Sequence, residues 1–377
     1  MIVIGVDAHK RTHTMAAVDA STGAVRGERM IVASDAGTLE ALRFVRGLDG
    51  QRVWAIEDCR HVSGRLERAL IAFGERVIRI PPAMIASSRR VQRRAGKSDP
   101  IDATAVALAA LREGVERFPV AFLDEQAMEI RLLHDHRDQL IVERTRQVNR
   151  LRWHLLAIDP ELEAGLQPRA FEQDRVRARV LRRLARLGDS ARVRIARELL
   201  KRVSALTREA HDLEAELKLL TSMHSPQLLA EPGCGPITAA LLIGHTAGAE
   251  RFPSDSSFAR HAGAAPIPAS SGNTTRHRLH RGGDRQLNRA LHTIALSRAR
   301  NDPPTRAYLD RKATEGKTKH EALRYLKRHL ARHVWKLLYT TDRTQPPHPT
   351  TNSPALDVGA PALMLCAHRN PQTAHTA

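Results

Sequence analysis

Cysteine and long apolar runs are scarce in this sequence, and each shortage excludes a class of protein. The three cysteines, Cys59, Cys234 and Cys366, form no CxxC pair in a chain of 377 residues. Neither a disulfide framework nor a zinc module is therefore expected. No apolar stretch reaches the roughly 18 residues of a membrane helix, and Met1 leads directly into a strand-like run instead of a signal peptide. We expect a soluble, cytoplasmic protein without a membrane partner.

Acidic residues are too few to balance the basic ones. The chain has 60 Lys and Arg against 41 Asp and Glu, and this excess of positive charge predicts a polyanionic partner. Nucleic acid is the first candidate. A chain of this length can also hold two or three domains.

The first 125 residues are predicted to form an α/β domain. Three strand-like runs come first, and a helical pattern precedes each of the last two, which favours a ribonuclease-H-like mixed sheet. A doubly wound nucleotide-binding fold ranks second, because it needs a crossover helix after its first strand and no glycine-rich phosphate loop follows Asp7. The predicted strands are 2–6, 13–18, 27–33, 53–57 and 76–80, and the predicted helices are 36–48 and 61–73.

Residues 126–222 are charged, poor in glycine and helical in period, with a break near Asp159-Pro160. Two long helices are expected there. From Leu199 to Leu220, apolar residues recur at alternating spacings of four and three. This spacing predicts an antiparallel helical hairpin or an intermolecular coiled coil, with ordinary bundle packing as the alternative.

Residues 223–340 are expected to form a mostly helical domain that ends in a basic amphipathic helix near 319–338. Beyond Thr340 the chain is rich in Pro, Thr and His and loses its periodicity. A disordered tail is therefore expected at 341–377.

Four carboxylates fall where strands end or a helix begins. Asp7 ends the first predicted strand and Glu57 ends the fourth, while Asp99 and Asp102 open a helix on one face. Clustered carboxylates repel one another unless a divalent cation neutralises them, and two Mg²⁺ ions can clamp a phosphodiester. We therefore predict a Mg²⁺ site, with Mn²⁺ as the alternative ion and Asp58 as the alternative to Glu57. Each acid taken singly is also explained as a solvated strand end or a helix cap.

A glycine-rich turn, Pro-Gly-Cys-Gly-Pro, precedes an apolar helix at 237–243 and looks like a helix-hairpin-helix element. In such an element, Gly233 and Gly235 would expose backbone N–H groups to a phosphate. A plain glycine-rich turn that caps the helix explains the pattern equally well.

Two serines, Ser270 and Ser271, stand upstream of a group of arginines. A serine hydroxyl beside guanidinium groups can attack a phosphodiester while the arginines hold the backbone. Ser-Ser-Gly-Asn is also ordinary loop composition, and by themselves the residues favour a patch that only contacts DNA. The arginines of this group are Arg276, Arg278, Arg281 and Arg285.

Taken together, these motifs resemble the DEDD transposases of the insertion-sequence-one-hundred-and-ten family, the bridge-RNA-guided recombinases. The resemblance covers residues 1–340. Its N-terminal part is carried by IGVDAHK at 4–10, AIE at 55–57 and KSDPIDA at 97–103. Its C-terminal part is carried by the Pro-Gly-Cys-Gly-Pro turn, FARHAG at 258–263, SSG at 270–272 and RGGDR at 281–285.

The resemblance implies a RuvC-like nuclease domain at 1–125, a helical coiled-coil region at 126–222 and a transposase domain at 223–340. It also implies the roles of the site residues: Asp7, Glu57, Asp99 and Asp102 form a DEDD metal site, and Ser271 joins covalently to DNA. The implied partners are the DNA of the element ends and of the target, a guide RNA encoded by the element, and further copies of the chain, as a dimer or tetramer.

Two features depart from that family. Asp284 stands where the family often has Asn, and the Pro-Ile-Pro segment at 266–268 is shorter than many versions ahead of the serine. Ser270 therefore stays open as the alternative to Ser271 as the nucleophile.

Three functions are consistent with these patterns. The first is a transposase or recombinase that cleaves and rejoins DNA through the metal site and the serine. The second is a resolvase-like, structure-specific, metal-dependent DNA endonuclease that uses water, and covalent attachment to DNA separates it from the first. The third is a basic nucleic-acid-binding protein without catalysis, for which substitution of Asp7 or Asp102 would leave DNA rearrangement unchanged.

Overall fold

The structure, a computed structural model, describes residues 1–57, 60–91, 98–121, 124–268, 277–278, 280 and 282–344. The strands are β1 (Ile2–Ala8), β2 (Thr12–Asp19), β3 (Val25–Val32), β4 (Arg52–Glu57), β5 (Val77–Ile80), β6 (Ile267–Pro268) and β7 (His277–Arg278). The helices are α1 (Asp35–Arg46), α2 (Arg60–Ala72), α3 (Pro82–Val91), α4 (Asp99–Glu113), α5 (Glu125–Ile158), α6 (Pro160–Ala164), α7 (Asp174–Ala185), α8 (Ala191–His224), α9 (Pro226–Leu229), α10 (Pro236–Thr246), α11 (Asp255–His261), α12 (Arg285–Asn301), α13 (Pro303–Thr314) and α14 (Lys319–Thr344). Short 3-10 helices lie at Val115–Arg117 and Ala170–Glu172.

The N-terminal strands form a five-stranded mixed sheet in the order β3-β2-β1-β4-β5. The β1–β2 and β2–β3 pairs are antiparallel, whereas β1–β4 and β4–β5 are parallel. The predicted mixed sheet is confirmed, and all five predicted strands are present. Because β1 leads into β2 without a crossover helix, the doubly wound fold that ranked second is wrong.

Two apolar cores cover the two faces of the sheet, because side chains alternate between faces along each strand. On one face, Ile4 and Trp54 share a core with residues of α1 and α2. On the other face, Val3 and Ala55 share a core with residues of α4. Odd-numbered residues of β1 and β4 therefore face α4.

Helix α4 lies directly against β1 at Gly5. A Cβ atom at Gly5 would lie 2.0 Å from the carbonyl oxygen of Ala103, so only glycine allows this approach. The helix begins after Ser98 and carries Pro100 in its first turn, where the missing N–H needs no partner. This contact brings the first turn of α4 close to the end of β1.

Helices α5 and α8, each of 34 residues, form an antiparallel hairpin. At one end, Nε2 of His224 lies 3.5 Å from Oδ2 of Asp124, and toward the other end Leu155 shares a core with Leu199. The two long helices predicted for the middle of the chain are thus present and pair within the chain. An intermolecular coiled coil stays a prediction. On the outer surface of α5, Trp153 is 74% exposed.

A further core lies among α10, α12 and α14, and it includes Ile130 of α5 and Leu217 of α8. One end of the hairpin is therefore built into the C-terminal region. Helix α14 ends at Thr344, whereas the tail was predicted to begin after Thr340; residues 345–377 lie outside the described residues. Among the helices that the structure describes, none combines the length and the apolar character that a membrane span requires.

Candidate metal centre

Three side chains converge at the end of β1. The Nε2 atom of His9 lies 3.2 Å from Oδ2 of Asp7 and 3.6 Å from Oδ1 of Asp99. One ligand atom from each residue lies within 4.8 Å of the other two, which is close enough for a shared metal ion. The Asp7 side chain is only 8% exposed, while that of Asp99 is 44% exposed. One side of the group is therefore buried in the protein, and the other side is accessible to solvent.

Backbone geometry explains why Asp7 meets the first turn of α4. Asp7 has the same parity as Gly5, the residue against which α4 packs, so its side chain faces α4. Asp99 and Asp102 occupy that first turn, and Asp102 is buried. The absence of a side chain at Gly5 is thus what allows the first turn of α4 to lie beside Asp7.

Glu57 is the last residue of β4, next to β1 in the sheet. The parallel register pairs Val6 with Ile56, which places Glu57 beside Asp7 at the same edge. Glu57 has the parity of Ala55, which packs toward α4, so it faces the same side of the sheet as Asp7. Its side chain is half-buried, but Glu57 is not among the described residues whose ligand atoms converge within 4.8 Å.

The electrostatics of Asp7 match those of a cation site. Burial raises the pKa of the Asp7 carboxyl, and the charges of Asp102 and Asp99 raise it further, while His9 lowers it. Opposite Asp7 on β2, the Thr14 hydroxyl is buried without a hydrogen-bond partner among the described residues. A divalent cation would relieve the repulsion between the carboxylates, and water bound to it would give the Thr14 hydroxyl a partner.

His9 is a site residue that the sequence reasoning missed. It appears in the IGVDAHK motif, but only the single acid of that motif, Asp7, was interpreted as a ligand. The available signal was its position two residues after Asp7, because side chains two apart along an extended segment share a face.

The glycine-rich turn is explained by packing at one of its two glycines. Gly233 has φ of 82°, and a Cβ atom there would lie 2.9 Å from Cβ of Ser297 on α12. Gly235 has no described atom within 4 Å of such a Cβ position. The backbone at Gly233 is thus turned toward α12, whereas Gly235, the N-cap of α10, is open.

The serine and arginine group is described only in part. Arg278 is exposed at the end of β7, and Arg285 is exposed as the first residue of α12. Ser270, Ser271, Arg276 and Arg281 lie outside the described residues, as does Asp58.

Two family models match the chain. A model for DEDD transposases of the IS110 type matches residues 4–160. A model described as Transposase IS116/IS110/IS902 family matches residues 225–310. The first range contains Asp7, His9 and Asp99, and the second contains Gly233 and Ser271.

Curated relatives extend over much of the chain. The uncharacterized 43.6 kDa protein of insertion element IS110 from Streptomyces coelicolor is 31% identical over 276 residues, which are 62% of this chain and 68% of the relative. The uncharacterized 42 kDa protein of insertion element IS900 from Mycobacterium paratuberculosis is 29% identical over 388 residues, 89% of this chain and 94% of the relative.

Among solved structures, T. thermophilus RuvC in complex with a Holliday junction substrate is similar to part of the chain. The identity is 14% and the TM-score 0.26, with 32% of this chain and 99% of that chain covered. At that TM-score the likeness adds nothing to the fold assignment, which rests on the order and direction of the strands.

Proposed function

The chain belongs to the IS110 family of transposases, and we propose that its N-terminal acids hold the divalent metal ions used in DNA cleavage and rejoining. The convergence of Asp7, His9 and Asp99 within 4.8 Å carries the proposal. Asp102 in the same turn of α4 and Glu57 at the same sheet edge complete the ligand set. The proposed ion is Mg²⁺, with Mn²⁺ as the alternative, because carboxylate oxygens are the ligands both prefer.

Each residue has a distinct part in this proposal. Bound metal ions would polarise the phosphate and stabilise the charge that develops during displacement at phosphorus. Asp7 and Asp102, both buried, hold the inner side of the site. Asp99 and His9, both exposed, lie on the side from which a DNA strand approaches.

Ser271 is the proposed nucleophile, with Ser270 as the alternative. Its Oγ forms a phosphodiester bond to a DNA phosphorus while the bond from that phosphorus to a deoxyribose oxygen breaks, and the serine proton ends on the released oxygen. A hydroxyl of the second DNA end then attacks the same phosphorus, which restores the serine and joins the strands. The support is the SSG motif inside the range of the second family model.

A guide RNA and an oligomer complete the proposed assembly. The element-encoded RNA pairs with target and donor DNA, and the excess of 60 basic over 41 acidic residues suits a protein that binds two kinds of nucleic acid. A dimer or tetramer brings two DNA ends together.

A covalent adduct is the decisive measurement. The purified protein, with co-purifying RNA and Mg²⁺, is incubated with labelled element-end DNA and analysed on a denaturing gel. We expect an adduct in the wild type and in Ser270→Ala, and none in Ser271→Ala. Asp7→Asn and Asp102→Asn should lose the adduct as well, because the metal site activates the phosphate.

Other outcomes would revise the proposal in a defined way. Loss in Ser270→Ala alone would move the nucleophile by one residue. Metal-dependent nicking without an adduct in any variant would mean that water, and not a serine, is the nucleophile. Cleavage that survives in Asp7→Asn would remove the metal site from the reaction.

A further inference from the structure

A cleft of about 550 Å³ lies between the sheet and the C-terminal helices. Arg117, at the end of a 3-10 helix, contributes to its wall from the N-terminal side. Arg260 on α11 and Arg285 at the start of α12 contribute from the C-terminal side. All three side chains are exposed, and within the described residues no carboxylate lies in ion-pair range of any of them. The cleft thus carries three uncompensated positive charges.

Most other charged groups of the wall already have partners within the protein, and Arg251 donates from Nε to the carbonyl oxygen of Thr246 at 2.7 Å. Arg79 pairs with the buried Glu67. Nε of Arg131 lies 3.5 Å from Oδ2 of Asp135. The two acids of the wall are also paired, Glu113 with Arg112 at 3.6 Å and Asp284 with His245 at 3.0 Å. Arg117, Arg260 and Arg285 are therefore the exposed, unpaired arginines that the wall offers to a ligand.

Backbone packing fixes the relative position of the two segments that carry the C-terminal arginines. A Cβ atom at Gly283 would lie 2.3 Å from the backbone nitrogen of Gly263, so the turn before α12 crosses directly over the end of α11. Arg260 precedes the crossing on α11, and Arg285 follows it on α12. Charged groups on such a rigid frame lose less entropy when they bind a ligand.

The third arginine is held by the sheet. The segment that follows Arg117 pairs with β5, because the N–H of Ala121 donates to the carbonyl oxygen of Val77 at 2.7 Å. Pro81 and Met84, which follow β5, line the cleft beside it and add apolar surface. The cleft therefore combines positive charge with an apolar wall.

We propose that this cleft binds the phosphodiester backbone of one nucleic acid strand, with Arg117, Arg260 and Arg285 on neighbouring phosphates. Each nucleotide carries one negative charge, so three unpaired guanidiniums match a short run of backbone better than one small phosphate. A bound strand would link the sheet to the C-terminal helices. The inference rests on the proposed function, because that function makes nucleic acid the partner. It does not depend on the four acids of the metal site.

The test is strand binding without metal. A labelled single strand of about 20 nucleotides, as DNA and as RNA, is titrated with the full-length protein in EDTA, and anisotropy is measured over a range of salt. Removal of three phosphate contacts should lower the slope of log affinity against log salt by about 2, or about 0.7 for each contact. We expect this in the triple variant Arg117→Gln, Arg260→Gln, Arg285→Gln, with affinity reduced by about tenfold or more at low salt.

The matched control is the triple variant Arg182→Gln, Arg192→Gln, Arg202→Gln, which removes the same charge from exposed positions on α7 and α8. The proposal is overturned if the cleft variant keeps the wild-type slope, or if the control loses as much affinity. Thermal unfolding checks that both variants are folded, and the single variant Arg117→Gln, which should lose about 0.7 of the slope, replaces the triple variant if that one unfolds.

A comparison of the DNA strand with the RNA strand identifies the ligand. If the cleft variant loses affinity for DNA only, for RNA only or for both, the result shows which nucleic acid the cleft binds. If inorganic phosphate competes as well as an unlabelled strand does, the cleft is a small-anion site and the proposal is refuted. Asp7→Asn should bind the strands normally in EDTA. The experiment therefore tests the cleft separately from the metal site, and either proposal can be wrong without the other.

Discussion

Nδ1 of His245, in α10, lies 3.0 Å from Oδ2 of Asp284, and both side chains are buried. The other carboxylate oxygen of Asp284 accepts the backbone N–H groups of Gln286 and Leu287. One carboxylate thus caps α12 and ties it to α10. It also stands next to the arginine-lined cleft.

Asp284→Asn should lower the free energy of unfolding by about 1–3 kcal/mol, because it replaces a charge-assisted hydrogen bond to His245 by a neutral one. An asparagine can still cap α12, so the loss isolates the contact between the helices. Urea unfolding of the single variants and of the double variant with His245→Gln measures it. If the two substitutions add without coupling, the pair contributes nothing.

The same pair predicts an acid dependence of stability. Burial alone would raise the pKa of the Asp284 carboxyl, but the hydrogen bond and charge of His245 and the N–H of Leu287 bring it well below its ordinary value of 3.8. A lowered pKa stabilises the fold above the ordinary value, and that contribution disappears as the pH falls below it. The difference between wild type and Asp284→Asn should therefore be full at about pH 7 and shrink below about pH 4. An equal difference at both pH values would contradict this assignment.

Gly5→Ala should separate α4 from β1, because the new Cβ would lie 2.0 Å from the carbonyl oxygen of Ala103. Overpacking of this kind costs about 1–3 kcal/mol or more. Since the first turn of α4 holds Asp99 and Asp102, we expect weaker metal binding as well. Calorimetric titration with Mn²⁺ and thermal unfolding measure the two effects.

The control for Gly5→Ala is Gly188→Ala, whose added Cβ meets no described atom within 4 Å. It should leave both stability and metal binding at the wild-type level. Wild-type metal binding in Gly5→Ala would mean that the acids do not depend on this contact.

Asp7→Asn should have opposite effects with and without metal. The pKa of Asp7 is raised by burial and by neighbouring acids, so its ionised form costs stability at any pH above the ordinary value of 3.8. In EDTA the variant should therefore unfold at the wild-type temperature or above it. With Mg²⁺ or Mn²⁺ only the wild type should gain stability, by about 2.7 kcal/mol at a hundredfold excess over Kd.

Asp212→Asn, at an exposed position of α8, is the control with the same change of charge, and it should keep the full response to metal. A response of equal size in Asp7→Asn would place the cation elsewhere.

Gly233→Ala and Gly235→Ala form a matched pair in one turn. The first adds a Cβ 2.9 Å from Ser297 at a backbone φ of 82°, which strains any residue but glycine. We expect a loss of about 1–3 kcal/mol for it and none for Gly235→Ala, measured by thermal unfolding. If both variants are equally stable, the turn does not depend on packing against α12.

The sheet could be predicted from the sequence because each strand has a recognisable local pattern of residues. β-branched runs and intervening turns mark β1 and β4, and the order of helices and strands leaves few ways to arrange them. Asp7 and Glu57 could be proposed as ligands for the same reason, since strand ends are visible in the pattern. The roles of Ser270 and Ser271 stay predictions.

Contacts between distant segments could not be predicted. His9 comes near Asp99 only because Gly5 lets α4 approach β1, and the hydrophobic periodicity of the sequence does not show that approach. Arg117 and Arg260 line one cleft although a long stretch of chain separates them. The packing of Gly233 on α12 was not predictable either, because the same glycine pattern serves a turn that exposes an amide and a turn that packs on a helix. Its contact with a phosphate stays a prediction.

The exposure of Trp153 gives the protein a built-in optical probe. Of the three tryptophans, Trp54 is fully buried and Trp335 is half-buried, whereas Trp153 is 74% exposed on the hairpin. A collisional quencher such as acrylamide will therefore act mainly on Trp153. The tryptophan fluorescence of the unlabelled protein can therefore report when a partner covers the hairpin. This signal is independent of metal binding at the acids.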